Sequence, residues 1–274
     1  MPTIRPQEPP EPHRFRQVAE SFGIDPDRYD RTRPHYPQAL IRRIVTESPG
    51  PDILDIGCGT GIAARQLQAG GCRVLGVEPD PRMAEYARRT GVTTEISTIE
   101  NWDPADRTFD AVISAQAWHW VDPLAGAAKA AQALRPTGRI VLFWNAFQPP
   151  APITEAFVTA LRRAVPDSPF DPGAATSALD AYQRMIDLAA KGIRETTRFT
   201  TPEQWRFDWT LDYTREAWLD MLPTQGALTR LSPTQQALIL EAVGAAIDAQ
   251  GGTFTMPYTA LAITATTRPS RTDC

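Results

Sequence analysis

Cysteine is scarce in this chain: Cys58, Cys72 and Cys274 are the whole complement in 274 residues. They form neither an even disulfide set nor a metal-ligand spacing, so a disulfide-stapled scaffold and a zinc module are excluded and a reducing cytoplasm is the natural setting. Long apolar runs are missing as well. No window approaches the ~20 consecutive apolar residues of a membrane span, and residues 1–10 are a proline-rich lead without the apolar core of a secretion signal. Positive charge is not in excess. The net charge of −4 lacks the basic footprint that neutralises nucleic-acid phosphates. The arginine pairs Arg42-Arg43, Arg88-Arg89 and Arg162-Arg163 are interleaved with acids at helix-like positions and read as solvated faces. Internal repeats are absent too. What remains is a chain long enough for a sizeable core, with a small molecule as its expected partner and neither membrane nor nucleic acid. Its oligomeric state is left open.

What the chain does have is concentrated in Ile53-Leu54-Asp55-Ile56-Gly57-Cys58-Gly59-Thr60-Gly61. A short apolar run ends in an acid, three glycines alternate, and a helix-compatible segment follows. Glycine lacks the Cβ that would block a ligand and adopts positive φ at little cost, so strand, glycine turn and helix together suit a closely held nucleoside. Two readings share these residues. Gly59-Thr60-Gly61-Ile62-Ala63-Ala64 satisfies the dinucleotide fingerprint with Ala last, and Glu78 follows roughly 20 residues on, placed for ribose hydroxyls. Asp55 shifts the balance. At the carboxyl end of the first strand, facing the ligand, it would repel a pyrophosphate and attract a cation.

Residues 52–143 alternate β-rich runs with helical segments, the pattern of a parallel doubly wound α/β sheet. Strands are expected near 52–56, 73–78, 92–96, 109–114 and 138–144, and helices near 60–70, 81–89, 123–134 and 151–164. Asp122-Pro123 is a helix start, with a cap and a proline in the first turn; Arg135-Pro136-Thr137-Gly138 is a stop and turn. Helices in 14–48 are separated by Tyr29–Pro37, which Pro34 and Pro37 hold extended. Later, 177–191, 213–222 and 232–249 read as helices. Trp205, Phe207, Trp209 and Tyr213 fall at odd positions, as on one face of a strand, and residues 253–264 read as the last strand.

Together these segments resemble the class I S-adenosylmethionine-dependent methyltransferases. Residues 53–61 look like the family's first motif; Val74–Met83 like the second strand and its acidic end; Phe109–Trp120 like the fourth strand and the segment after it; and Arg135–Val141 like the turn into the fifth. The similarity is greatest to the type 11 small-molecule group with trans-aconitate-methyltransferase-like members, and extends to Tyr29–Pro37 and to the pattern from Phe199 to Arg268. An Asn/Asp-Pro-Pro-Tyr segment of the DNA-methylase type is absent. The resemblance implies a Rossmann-like, mostly parallel seven-stranded sheet whose last two strands rejoin as an antiparallel edge hairpin. It implies a flexible N-terminus (1–13), a helical lid (14–48), a cofactor-binding core (49–145), a helical substrate cap inserted before the last two strands (146–195), a completing segment (196–268) and a tail (269–274). The cofactor would be S-adenosylmethionine, leaving as S-adenosylhomocysteine.

By the same resemblance, Asp55, Gly57, Cys58, Gly59 and Gly61 form the loop against the methionine portion, and Glu78 and Pro79 take the ribose. Met83 lies against the adenine, and Thr98, Ile99 and Glu100 line its edge, Ile99 replacing the usual small residue. Ala115 and Gln116 follow the fourth strand, and Tyr29 and Arg33 belong to the lid. Arg33 suits a carboxylate of the cofactor or of an acidic substrate. His35, Tyr36, Trp118, His119, Trp144 and Trp209 are the acceptor-side candidates. His119 is the candidate general base, with an ordinary pKa of ~6.5; the plainer alternative is that it only orients the acceptor. Trp144, Trp205, Trp209 and Trp218 are equally readable as core. No metal site is expected. Oxygen is the first choice of acceptor atom, before nitrogen and carbon, on a partly apolar metabolite such as secondary metabolism makes. Two other readings stay open: an NAD-dependent oxidoreductase, and a binding protein that keeps the donor pocket without methylating.

Overall fold

The computed structural model describes residues 21–166 and 178–268. The expected flexible N-terminus, the first residues of the expected lid, most of the loop at Pro166–Gly173 and the tail lie outside these. Helices α1 (Pro26–Thr32) and α2 (Gln38–Glu47) precede β1 (Asp52–Ile56), α3 (Ile62–Ala69), β2 (Arg73–Glu78), α4 (Pro81–Arg89), β3 (Thr93–Ile96) and β4 (Phe109–Ala115). After a 3-10 turn at Trp118–Trp120 come α5 (Pro123–Ala133), β5 (Leu134–Phe147), α6 (Ala151–Ala164), α7 (Ala178–Glu195), β6 (Glu203–Thr214), α8 (Arg215–Met221), α9 (Pro233–Asp248) and β7 (Thr253–Thr266).

The seven strands form one sheet in the order β3-β2-β1-β4-β5-β7-β6. Strands β1 to β5 run parallel, and β7 and β6 are antiparallel to their neighbours. This is the expected doubly wound α/β architecture with its antiparallel edge. The central strands are apolar on both faces because helices cover both. Ile53, Ile113, Val141 and Phe143 pack beneath Leu40, Ile44, Ala63 and Leu67 of α2 and α3. Leu54, Ile56, Val112, Leu142 and Trp144 face α5 and α7, as a strand's alternation requires. A third cluster packs Leu161 of α6, Trp218 of α8 and Ile239 and Val243 of α9 against Tyr213 and Tyr258 at the far end of β6 and β7. The odd-numbered face of β6 is the covered one: Trp205 and Tyr213 are buried while Arg206, Asp208 and Asp212 are exposed.

Two expectations need correction. Tyr29 to Thr32 belong to α1, which Asp25 caps through the Arg28 N–H and Pro26 opens, so only Arg33–Pro37 is extended. The turn at Arg135–Gly138 does not end in a fresh strand. Pairing with β4 jumps from Phe109↔Leu134 to Ala111↔Arg139, leaving an irregularity inside β5 with Thr137 at φ 63. Beyond it β5 runs on to Phe147, because its pairing with β7 continues to Phe147↔Tyr258. Asp122 caps α5 as expected, accepting from the Leu124 and Ala125 N–H groups at 3.0 and 2.8 Å.

Helix α7 reaches α5 closely enough that a Cβ on Gly192 would lie 2.1 Å from the Pro123 carbonyl oxygen. That neighbour is backbone and cannot rotate away. Gly192→Ala is expected to lower the unfolding free energy by about 1–3 kcal/mol, read from a urea titration; an unchanged midpoint would show that α7 shifts freely.

Candidate functional site

At the carboxyl ends of β1, β2 and β4 the sheet opens a cavity of about 310 Å³. It lies at the switch point where β1 and β4 send their connections to opposite faces, the usual place for a ligand in such sheets. Gly57 begins the glycine loop at φ 66, and its position would set a Cβ 2.5 Å from that of Ala117, so the loops after β1 and β4 touch only because the side chain is missing. Gly59 and Gly61 also have positive φ, Gly61 preceding α3.

Glu78 closes β2 and joins the two loops. Its Oε2 accepts the Gly59 N–H at 2.9 Å and its Oε1 the Asp80 N–H at 2.9 Å. Burial lifts its carboxyl to about 7, against the pull of those two N–H groups. Asp80, beside it, caps α4 and is paired with Arg82 at 2.7 Å, which holds its carboxyl below the ordinary range despite burial. Asp55 is wholly buried, and neither carboxylate oxygen has a hydrogen-bond partner. Burial, then the charge of Glu78, push its pKa well up. The structure therefore sets Asp55 behind the glycine loop rather than on the cavity wall, because β1 turns its odd-numbered residues towards α2 and α3.

Of the cofactor-side candidates, Tyr29, Arg33, Gly57, Gly59, Glu78, Pro79, Met83, Thr98, Ile99, Glu100, Ala115 and Gln116 all line this cavity. Three of them carry buried polar atoms without a partner: Arg33 Nε, Thr98 Oγ1 and Gln116 Oε1. Cys58 and Gly61 lie behind the loop; Cys58 is buried against Thr94 with its thiol pushed up by burial. Arg33 donates from Nη2 to the Thr224 carbonyl at 2.5 Å and lies 4.7 Å over the Tyr29 ring.

Among the acceptor-side candidates only His119 lines the cavity. Trp144 is buried beneath it and donates its indole N–H to His119 Nδ1 at 3.2 Å. His119 is half-buried, its open side turned to the cavity, and this enclosure lowers its pKa to about 4. Trp118 packs into the core against Gly126. Trp209 stacks on Tyr258 at 4.5 Å, and Tyr36 packs edge-on to Phe143 at 4.8 Å. His35 is exposed and borders a different groove between α2 and α3. Residues not anticipated complete the wall: Phe22, Trp120, Phe147, Tyr182 and Met185, with Gln225 and Gly226. Tyr182 and Met185 are one turn apart on α7, a spacing visible in the sequence; nothing local marks Gln225. Of the segment between β5 and β6, α7 reaches the cavity while α6 packs on α9. Among the described residues no group of three His, Cys, Asp or Glu is placed to hold a metal ion, and no helix is long and apolar enough to cross a membrane.

Comparison with known proteins agrees with the fold. Residues 54–142 match a family model described as a methyltransferase domain. An uncharacterized methyltransferase of Mycobacterium tuberculosis is 38% identical over 132 residues, 47% of this chain and 54% of its own length. The ubiquinone biosynthesis O-methyltransferase of Methylocella silvestris is 29% identical over 162 residues, 57% of this chain and 54% of its own. The chain thus spans about half the length of the curated relatives it matches. Among solved structures, a protein of Anaeromyxobacter dehalogenans described as a type II methyltransferase superposes with a TM-score of 0.60 at 22% identity, over 87% of this chain and 99% of that one. The two share the fold.

Glu78 sets a pH dependence of its own. A carboxyl that ordinarily titrates near 4.5 and stands at about 7 in the fold keeps its proton when folded and loses it on unfolding. Its contribution to stability is greatest below pH ~4.5 and falls by about 3 kcal/mol as pH rises through 7. Urea titrations of the wild type and Glu78→Gln at about pH 4.5 and 8 should show the difference between them move by about that amount in favour of the variant. A difference independent of pH would show that the buried carboxyl titrates normally.

Proposed function

We propose that this chain, whose residues 54–142 match a model described as a methyltransferase domain, is a class I S-adenosylmethionine-dependent methyltransferase that transfers the donor's methyl group to a small organic acceptor, most readily at oxygen. The observation that carries the reading is the carboxylate of Glu78 beside the glycine loop. Held by two backbone N–H groups, it keeps free lone pairs for the two hydroxyls of a ribose. Glu78, Asp80 and Glu100 line this cavity against Arg33, the one Lys or Arg among the described lining residues. Such a wall suits a cationic nucleoside and disfavours a pyrophosphate, which supports S-adenosylmethionine over NAD.

The residues fit the donor. Gly57 and Gly59 leave its backbone path clear, Thr98 and Gln116 offer partnerless polar atoms, and Met83 and Ile99 supply apolar contact for the base. When bound, the donor supplies an electrophilic methyl on a sulfonium; an acceptor lone pair forms the new bond as the carbon–sulfur bond breaks, its electron pair staying on sulfur. The protein's work is then alignment, with reacting atoms about 3–3.5 Å apart. The far end of the cavity, with Phe22, Phe147 and Met185, favours a partly apolar metabolite, of the kind secondary metabolism produces. α1 and α7 we take as lid and cap over that end. Cys58 and Cys72, both free thiols, suit the reducing cytoplasm.

Calorimetry separates the readings. S-adenosylhomocysteine is expected to bind and NAD not to. Because ribose hydroxyls favour the ionised form of Glu78, whose pKa is about 7 without ligand, binding near that pH should release part of a proton, seen as a heat that varies with the buffer's ionisation enthalpy. Affinity for NAD and none for S-adenosylhomocysteine would overturn the assignment. Labelled S-adenosylmethionine with a metabolite panel then tests transfer itself; label appearing on no small molecule would count against the activity.

A further inference from the structure

His119 is held by a partner that has no freedom of role. The Trp144 indole nitrogen can only donate, and it donates to His119 Nδ1 at 3.2 Å. Nδ1 must therefore present its lone pair, and in a neutral imidazole the remaining proton sits on Nε2. Trp144 cannot turn away: it is 1% exposed, in a strand paired on both sides, opposite Leu261 of β7. The 3-10 turn Trp118–Trp120 fixes the imidazole from its own side, with the Trp120 ring 4.6 Å from that of His119.

We propose that Trp144 is a positioning residue that locks His119 as an Nε2–H hydrogen-bond donor, so that the acceptor is an oxygen already anionic on arrival rather than one that His119 deprotonates. Accepting a proton at Nδ1 would set two donors against each other and break the indole bond. Accepting one at Nε2 is ruled out because that nitrogen is already protonated. The enclosure agrees: burial alone lowers the His119 pKa to about 4, with no charged side chain contributing. The charged groups lining the cavity are Arg33 of the extended link, Glu78 and Asp80 beside the glycine loop, and Glu100, whose carboxylate accepts the Asp122 N–H at 3.2 Å just past the 3-10 turn. Arg33 brings a cation, and the Tyr182 phenol is close enough to feel its charge. An anionic oxygen is what these groups hold in common. The tautomer stands on this geometry alone, whereas its consequence for the acceptor rests on the proposed methyl transfer.

The chain has three histidines, His13, His35 and His119, so the imidazole nitrogens can be resolved in a multiple-bond nitrogen–proton NMR spectrum of the ligand-free full chain and assigned with His119→Gln. The expected result is a pyridine-type Nδ1 and a pyrrole-type Nε2 for His119, titrating near 4 rather than 6.5. In Trp144→Phe the two nitrogens should move towards averaged shifts, while the midpoint stays low because the burial that lowers it is kept. A proton on Nδ1, or a wild-type midpoint near 6.5, overturns the proposal; should Trp144→Phe fail to fold, the wild-type spectrum decides. These spectra need neither donor nor acceptor, so they are unaffected if methyl transfer is disproved. With a turnover assay in hand, His119→Gln can still accept from the indole and donate from its amide. It should lose less than ~10-fold while His119→Ala loses ~100-fold, the low end of the range for a lost donor. Equal losses in the two variants would sink the donor role.

Discussion

The arrangement rests on one buried carboxylate that has no cation paired with it among the described residues. Glu78 ties the loop after β1 to the turn after β2 by accepting one N–H from each. Neither group has a ladder partner there, since both lie beyond the strands, and a buried N–H left unpaired costs about 1–3 kcal/mol. Burying a carboxylate is costly too, and its pKa of about 7 records that cost. A buried carboxyl with two lone pairs still available is poorly satisfied alone and well satisfied by a ligand with paired hydroxyls. Asp55 sharpens the point from behind the loop, its oxygens partnerless and its neutral form favoured. Two acids are thus crowded at the switch point of the sheet, with Asp55 held neutral, so the charge there is that of Glu78, which a positive ligand would keep ionised.

The roof over that point comes from chain segments far apart in sequence. Arg28 and Arg31 of α1 both pair with Asp220 of α8, at 2.9 and 2.7 Å. Asp30 pairs with Arg65 of α3 at 2.6 Å and accepts from the Tyr86 hydroxyl of α4. Ser21 meets Thr229 at 2.7 Å, and Arg33 reaches the Thr224 carbonyl. Pairs this exposed contribute only ~0–1 kcal/mol each. α1 buries no residue fully, so apolar packing adds little to them. A roof held by several weak polar ties, over a floor of close-packed strands, is the part of the cavity wall that costs least to displace.

How much of this was legible in the sequence depends on whether the deciding contacts are local. The ends of β1, β2 and β4 were, because strands buried on both faces are continuous apolar runs with glycine or acid at their ends. So was the Asp122 cap, and so was β6, whose alternation states which face is covered. The extent of β5 was not: Arg135-Pro136-Thr137-Gly138 has the composition of a turn, and only pairing with β7 carries the strand past it. In the link before α2, consecutive side chains point oppositely, which turns Tyr36 into the core and leaves His35 on the surface. The aromatic composition shared by both carries no such direction. Asp55 was read as facing the ligand from its place in the motif, yet strand parity sends it beneath the loop. Tyr182, Phe147 and Gln225 enter the wall from elements that meet only in the folded chain, so no window of sequence contains them together.

The cavity's two ends follow from the two halves of the sheet. Its acids come from the parallel half: Glu78 and Asp80 at the end of β2, where α4 starts, and Glu100 in the loop after β3. Its donors are organised by β5, the strand at which the sheet changes from parallel to antiparallel. β5 can carry the large Trp144 because α7 covers it on one face and β7 pairs along its edge, so the indole is both buried and unable to move. A buried indole N–H needs an acceptor, and here that acceptor is the ring nitrogen of His119. The demand of one core residue for a hydrogen bond is thereby transmitted to the surface of the cavity as a fixed proton position. Core packing and site chemistry are in this way one constraint, carried by a side chain that never touches the cavity itself.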